Sequence, residues 1–448
     1  IIRLRMMGFF AAHQPMDRPP TAQRKCTVGI VGFGTVGQAV ARILGSDLHP
    51  TLRLTHICNR NINQKKVDWI GPDVVWIESF DSLLESSVDV VVELIGGVSP
   101  ARVWIERALA CGKSVVTANK QLIAEAGQAL QRAAEEAQQE LLFEAAVAGG
   151  IPILRGLRQG LGGDSIYRIE GILNGTCNYI LTRMEGESVS FDDALAEAQE
   201  LGYAEADPTA DVEGYDAQSK LAILIGVGLG RAVRADEIPL TSVTSLRAID
   251  FVYARKLGCV VRQVARAELI PEAQGTRAAV QPALVPERSA LGRVAGSQNI
   301  VVVDGHFGGE TAFAGFGAGG EPTAVAVVSD LLALNRQGSQ ELERWLPVDG
   351  PPSPVVAEFD APHYVRFIVA DRPGVIANLA EIFSRHRINV DAVLQEPGWP
   401  KSELPFVMTL ESCVSSDVRA ALGEISQLDF HVEPPLWLPV LAKGEGHP

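Results

Sequence analysis

Residues 202–220, Gly202-Tyr203-Ala204-Glu205-Ala206-Asp207-Pro208-Thr209-Ala210-Asp211-Val212-Glu213-Gly214-Tyr215-Asp216-Ala217-Gln218-Ser219-Lys220, place five carboxylates just ahead of and within a segment that becomes strongly apolar. The apolar run reads as a helix, and Asp216 and Lys220, four residues apart, then share one helical face. A solvated ion pair would account for those two residues, but not for an acidic approach to an otherwise apolar helix. Such a cluster, with Glu205, Asp211 and Asp216 as its acids, can bind a substrate ammonium group while Lys220 exchanges a proton with a reacting oxygen.

A second lysine is placed for the same work. Lys120, in Thr117-Ala118-Asn119-Lys120, follows a predicted strand, and the C-terminal edge of an α/β sheet is where such folds bind ligands. The alternative is a surface lysine opening a helix. No histidine lies between His56 and His306, so unless His306 takes part, lysines and carboxylates must do the acid–base chemistry. Asn174-Gly175-Thr176-Cys177-Asn178 is a polar turn before an apolar run, with Asn174, Gly175 and Thr176 suited to shaping a pocket. Cys177 could be the nucleophile of an acylating enzyme, but no nearby histidine can activate it, and a small buried thiol is the simpler reading.

Gly32-Phe33-Gly34-Thr35-Val36-Gly37 is a GxGxxG between an apolar strand and an apolar-periodic helix. In that context the first glycine permits the tight turn, the second admits a pyrophosphate, and the third lets helix and strand pack closely. The helix N-terminus then faces the anion. About 20 residues further on, dinucleotide sites that prefer NAD carry an acid for the ribose hydroxyls. Here the second strand ends His56-Ile57-Cys58-Asn59-Arg60-Asn61, with no carboxylate. Arg60 can pair with a 2′-phosphate and favour NADP, or be a solvated surface arginine.

The elements that must hold these groups alternate. Strand-like runs at 26–31, 52–58, 88–94 and 114–117 are interleaved with helical stretches at 38–44, 99–110 and 121–139, the pattern of a doubly wound parallel sheet. After Gly149-Gly150 the character changes to an α+β unit containing the acidic loop and strand-like runs 259–265 and 300–303, and a helix at 324–334 follows. Prolines 347, 351, 352, 354 and 362 mark an extended linker. The last unit reads βαββαβ: strand 364–369, helix 375–386, strands 389–394 and 405–411, helix 416–426 and a final apolar segment, the ferredoxin-like order. The expected divisions are a leader at 1–24, a Rossmann domain at 25–150, a substrate and dimerisation domain at 151–315, a return segment to the nucleotide domain at 316–340, a linker at 341–360 and a terminal domain at 361–441.

Composition fits a multidomain α/β enzyme, with 448 residues, 47% of them hydrophobic. A formal net charge of −15 argues against sequence-independent nucleic-acid binding, which needs clustered Lys and Arg. Six scattered cysteines with no CxxC pair suit a reducing compartment, and no long uncharged apolar run suggests a membrane span. Arg3 and Arg5 before the apolar run 6–12 weakly imitate a signal peptide, but the run is short, and a disordered leader upstream of a start at Met16 is the expectation.

Taken together and in this order, Gly32 to Gly37, Thr117 to Lys120, Glu144 to Ile151, Ile172 to Thr176 and Leu201 to Lys220 resemble homoserine dehydrogenase in its longer bacterial form with a C-terminal ACT domain, over about residues 25–440. The resemblance implies reversible NAD(P)H-dependent reduction of L-aspartate 4-semialdehyde to L-homoserine, on the route to threonine, methionine and isoleucine, in a cytoplasmic homodimer or homotetramer. It implies Lys220 as proton donor, with Lys120 at the boundary of cofactor and substrate, and Glu205 and Asp216 as substrate-binding groups. It adds Gly96, Gly202 and Gly317 to the cofactor set, although Phe316 stands where a proline is expected in Gly315-Phe316-Gly317-Ala318-Gly319. It also implies a monovalent cation, usually Na+, at Glu144, Val147, Gly149 and Ile151, held largely by backbone carbonyls. Asp371-Arg372-Pro373-Gly374-Val375 resembles the ACT turn that binds an amino acid, with L-threonine the implied effector and a role in assembly alone the alternative.

Overall fold

The computed structural model describes residues 25–187, 189–270, 275–336 and 344–441. The expected leader, residues 1–24, lies outside them. The first sheet is parallel throughout, in the order β3-β2-β1-β4-β5-β6: β1 (Cys26–Val31), β2 (Leu52–Cys58), β3 (Val75–Ile77), β4 (Val90–Glu93), β5 (Ser114–Thr117) and β6 (Leu141–Leu142). Its central strands are buried on both faces, which is why Val90 to Val92 read as an unbroken apolar run rather than an alternating one. Strand order reverses between β1 and β4, so the crevice outside their C-terminal ends is the ligand position of this architecture.

The second sheet is mixed, ordered β11-β10-β7-β8-β9-β12, with β7 (Ile166–Ile172), β8 (Cys259–Leu269), β9 (Thr276–Pro286), β10 (Gln298–Gly305), β11 (Gly309–Phe316) and β12 (Val355–Val356). Only β12 runs parallel to its neighbour. The helix Tyr215–Leu229 is buried nearly all round, and its apolar residues belong to the same core as the parallel sheet. The helix Gly320–Arg336 returns to pack on the helix Thr35–Leu44 beside the glycine turn.

The proline-rich stretch is extended but not a free tether. Trp345 is buried against Phe143, the Pro347 carbonyl accepts a bond from Gln128 Nε2 at 2.7 Å, and Val355–Val356 extends the second sheet.

The third sheet is antiparallel, β14-β15-β13-β16, built from β13 (Asp360–Val369), β14 (Val390–Gln395), β15 (Leu404–Val414) and β16 (His431–Pro439), with helices Val375–Arg385 and Ser415–Ile425. This is the expected βαββαβ order. Besides its own core, it sends Tyr364, Val407, Leu436 and Leu438 into a cluster with Cys177, Met184, Phe251 and Tyr253 of the middle domain. Asp250 is fully buried there, accepts a bond from Tyr364 Oη at 2.7 Å and pairs with Arg366. A buried carboxylate needs such partners, so the pair fixes where the third domain docks.

Candidate active site

The glycine turn is sterically committed. Gly32 adopts φ +99°, and a Cβ there would come within 2.7 Å of the Leu94 carbonyl oxygen. A Cβ on Gly37 would overlap the Gly32 carbonyl oxygen. Gly34 and Thr35 stay exposed where the helix Thr35–Leu44 begins, with Val36 half-buried behind them, so first-turn N–H groups and the helix dipole face an incoming anion. Phe33 turns inward instead: its ring packs on Trp69 and Trp76, and its N–H donates to Asn59 Oδ1 at 3.0 Å. An aromatic ring of that size is more favourable in the core than over a polar ligand.

Arg60 is exposed at the end of β2, on a pocket of about 620 Å³ lined by Asn59, Arg60, Asn61, Lys65 and Glu78. The pocket therefore has a second cation, Lys65, and an acid, Glu78, that the strand-end sequence did not reveal. Glu78 Oε1 accepts the Ile62 N–H at 3.1 Å. On the other side of β1, Glu93 is buried and accepts Thr117 Oγ1 at 2.6 Å and the N–H groups of Ile95 and Gly96 at 2.8 and 3.2 Å. It thereby shapes the loop carrying Gly96. Asn119 ties the same loop down through Gly97 O at 2.6 Å and caps the helix Lys120–Glu136 through the Leu122 N–H at 3.2 Å. Neither Glu93 nor Asn119 was singled out in the sequence as a site residue, though an acid at the end of an apolar strand was a usable signal.

At the other end of the crevice, Asp216 joins the two lysines. Its Oδ2 lies 2.7 Å from Lys220 Nζ and its Oδ1 2.9 Å from Lys120 Nζ, while its side chain is only 8% exposed. Lys220 Nζ also donates to Leu173 O at 2.7 Å, which leaves its third N–H for a substrate oxygen. Lys220 is 9% exposed and Lys120 45%, so Lys220 forms the wall and Lys120 the mouth. Burial alone would raise the Asp216 pKa, but the ammonium groups of Lys220 and Lys120 and their hydrogen bonds outweigh it and hold the carboxyl well below the usual range. Asp216, with smaller help from Asp211 and Glu205, holds the Lys120 ammonium above its ordinary pKa despite desolvation. Lys120 is thus kept as an acid.

The polar turn is drawn in by the same carboxylates. Asn174 Nδ2 donates to Asp211 Oδ1 at 2.6 Å and Asp216 Oδ2 at 2.9 Å, and its Oδ1 accepts the Cys177 N–H at 2.8 Å. Burial pushes Asp211 above the ordinary aspartate value. Thr176 Oγ1 donates to Tyr203 O at 2.7 Å, which brings the turn Gly202 to Glu205, exposed except for the buried Ala204, over the start of the helix Gly175–Glu187. Cys177 is fully buried with Sγ directed at Asp211 O, 3.1 Å away, and burial with two nearby acids pushes its thiol well up. It is no nucleophile. His306 packs on Tyr167 at the far hairpin between β10 and β11 and takes no part in this cluster.

The segment Glu144 to Ile151 is buried at the domain junction. Both Glu144 carboxylate oxygens accept backbone N–H groups, from Leu154 and Arg155, at 2.9 Å. Burial, then Asp330, pushes Glu144 up to about 7, against those bonds and Arg155. Among the described residues no group of His, Cys, Asp and Glu is arranged to hold a metal ion, so a cation here would rest on carbonyls. Gly317 follows β11 and lies against Gly149, and Gly320 lies against Thr35 of the glycine turn. In the third domain, Asp371 lies 3.5 Å from Lys401 and Arg372 pairs with Asp429, which frames the Pro373–Gly374 turn at the start of the helix Val375–Arg385.

A doubly wound sheet with a glycine turn, facing a lysine–carboxylate cluster across one crevice, defines a nicotinamide-dinucleotide-dependent oxidoreductase. Comparison with known families narrows this: the model for the homoserine dehydrogenase NAD-binding domain matches residues 32–144, that for homoserine dehydrogenase matches 152–332, and that for the ACT domain matches 363–430. The chain belongs to the homoserine dehydrogenase family. It is 37% identical to a homoserine dehydrogenase of Synechocystis sp. over 435 residues, which is 93% of this chain and 99% of that one. The crystal structure of a homoserine dehydrogenase from Thiobacillus denitrificans superposes with a TM-score of 0.86 at 34% identity, covering 93% of this chain and 98% of its own. A hyperthermophilic archaeal homoserine dehydrogenase in complex with NADPH superposes with a TM-score of 0.60 at 30% identity, covering 69% and 97%.

Proposed function

We propose that this enzyme interconverts L-homoserine and L-aspartate 4-semialdehyde with NADP as preferred cofactor and Lys220 as the proton-transferring group. The observation that carries this reading is one buried carboxylate, Asp216, shared by Lys220 and Lys120. The cradle at Gly32 and Gly37, which any Cβ would fill, fits a pyrophosphate, and the bound nicotinamide supplies or accepts the hydride. In the reducing direction Lys220 Nζ gives a proton to the aldehyde oxygen; in the oxidising direction the neutral amine takes it back. Glu205 and Asp211 attract the substrate ammonium group at the mouth, Asp216 orients both lysines, and the Asn174–Thr176 turn closes the pocket around the amino-acid head.

Arg60 and Lys65 on the nucleotide pocket support recognition of a 2′-phosphate, in keeping with the NADPH held by the archaeal relative. A monovalent cation at Glu144, Val147, Gly149 and Ile151 is supported by a buried carboxyl that is raised in pKa and by a segment whose remaining donors are carbonyls. The ACT turn at 371–375 is the proposed site for L-threonine, in a cytoplasmic homodimer or homotetramer. Among the described residues, no helix is long and apolar enough to cross a membrane.

The test is NADP+ and NAD+ reduction with L-homoserine at alkaline pH, with and without L-threonine. Homoserine-dependent absorbance growth, faster with NADP+ and depressed by threonine, is the expected result. A folded protein without turnover on either cofactor overturns the reading.

A further inference from the structure

Asn299 sits in β10 opposite Gly315 and is only 1% exposed. Among the described residues, neither its Nδ2 nor its Oδ1 has a hydrogen-bond partner. A buried amide left wholly unsatisfied is costly and rare, and it calls for an account. Its surroundings supply one. Asn299 Oδ1 lies 3.3 Å from the position a Cβ would take on Gly175, the first residue of the helix Gly175–Glu187. A Cβ on Gly317 would overlap the amide carbon and nitrogen. The oxygen end thus lies beside a helix start where Asn174 already takes the N–H groups of Cys177 and Asn178, so a first-turn bond to it must come from Gly175 or Thr176, and the nitrogen end faces the backbone of the later glycine segment.

These two neighbours belong to different halves of the site. Gly175 is part of the Asn174–Thr176 turn bonded to Asp211 and Asp216, whereas the segment from Gly317 leads into the helix that packs beside the nucleotide turn. We propose that Asn299 is a positioning residue that couples substrate binding to cofactor binding: with both bound, the helix start and the Gly317 segment settle onto the two ends of its amide. The oxygen then accepts a first-turn N–H and the nitrogen donates to a carbonyl of the glycine segment. With one ligand present only one half settles, so each ligand tightens the other. This inference rests on the assignment of Gly175 and Gly317 proposed above.

The experiment measures NADPH affinity by protein fluorescence, with and without saturating L-homoserine, in the native chain and in Asn299→Leu and Asn299→Asp. It needs no turnover. The native chain is expected to bind NADPH several-fold more tightly with homoserine present, a factor that falls toward one in Asn299→Leu; the loss of coupling is on the order of tenfold or less. Asn299→Leu should melt no lower than the native chain, because it removes an unsatisfied group, so a merely structural role would move melting and leave the ratio unchanged. If Asn299→Leu does not fold, Asn299→Asp, of the same size, carries the test: it keeps the acceptor, loses the donor and is expected to lose coupling. Native coupling retained in the folded variants, or no coupling in a native enzyme that turns over homoserine, overturns the inference. A native chain that does not turn over homoserine fails the functional reading instead.

Discussion

Replacing Asp216 with Asn removes the one charge that both active-site lysines share. Two unit charges about 4 Å apart at an effective dielectric constant near 20 interact by about 4 kcal/mol. Lys120 is 45% exposed and can turn to water, so its share is small; the cost falls on Lys220, at 9% exposure. Leaving one buried ion without its partner costs about 3–5 kcal/mol, and we expect Asp216→Asn to lose stability toward the lower end of that range. The sign with pH is fixed by the shifts. The depressed Asp216 pKa gives stability that is present above the ordinary aspartate value of about 3.9 and fades as pH falls below it. The raised Lys120 pKa gives stability that is present below the ordinary lysine value of about 10.4 and fades as pH rises through the raised value. The variant's deficit is therefore flat between those limits and shrinks beyond each. Asp216 is the largest cause of the raised Lys120 pKa, so in the variant the alkaline titration of Lys120 should move down in pH, and any limb of kcat/KM that follows it should move with it. Rates from neutral to alkaline pH and thermal melts of both proteins measure this. An unmoved pH profile together with an unchanged melt would refute the claim that Asp216 holds Lys120 charged and anchors Lys220.

Lys220→Ala should lower kcat by about 10²-fold or more, as loss of a general acid does, whereas Lys120→Ala should act mainly on KM; the reverse split would exchange their roles. Gly37→Ala drives a Cβ into the Gly32 carbonyl and should raise the KM for both cofactors, by about tenfold or more for a loss above about 1.4 kcal/mol; unchanged cofactor KM would show that the turn yields freely. Arg60→Ala should weaken NADP+ by about tenfold, the size of one charge-assisted bond, while NAD+ kinetics hold steady; equal effects on both would place the arginine off the phosphate. Replacing Na+ by choline should lower the melting temperature and the turnover if a cation sits at the Glu144–Ile151 segment, and identical melts would remove it from the account.

Much of this molecule is local, and local features are written in sequence. The GxGxxG turn follows from sterics within a few residues, the Asp216–Lys220 pair from helical periodicity, and the βαββαβ unit from alternation of apolar patterns, so each was legible with boundaries off by a few residues at most for most elements. Short strands were not: Val75–Ile77 and Leu141–Leu142 carry too few residues to show a period, and they exist because neighbours pair with them. Tertiary structure alone decided that Lys120 meets Asp216 from the other end of the crevice, that Phe33 faces the core, and that Asn299 is sealed between Gly175 and Gly317. It also turned Glu144 onto two backbone N–H groups and docked the ACT domain on Asp250. Those contacts join residues far apart in the chain, where no spacing rule applies, and they are settled by which buried polar groups the packed domains leave to satisfy one another.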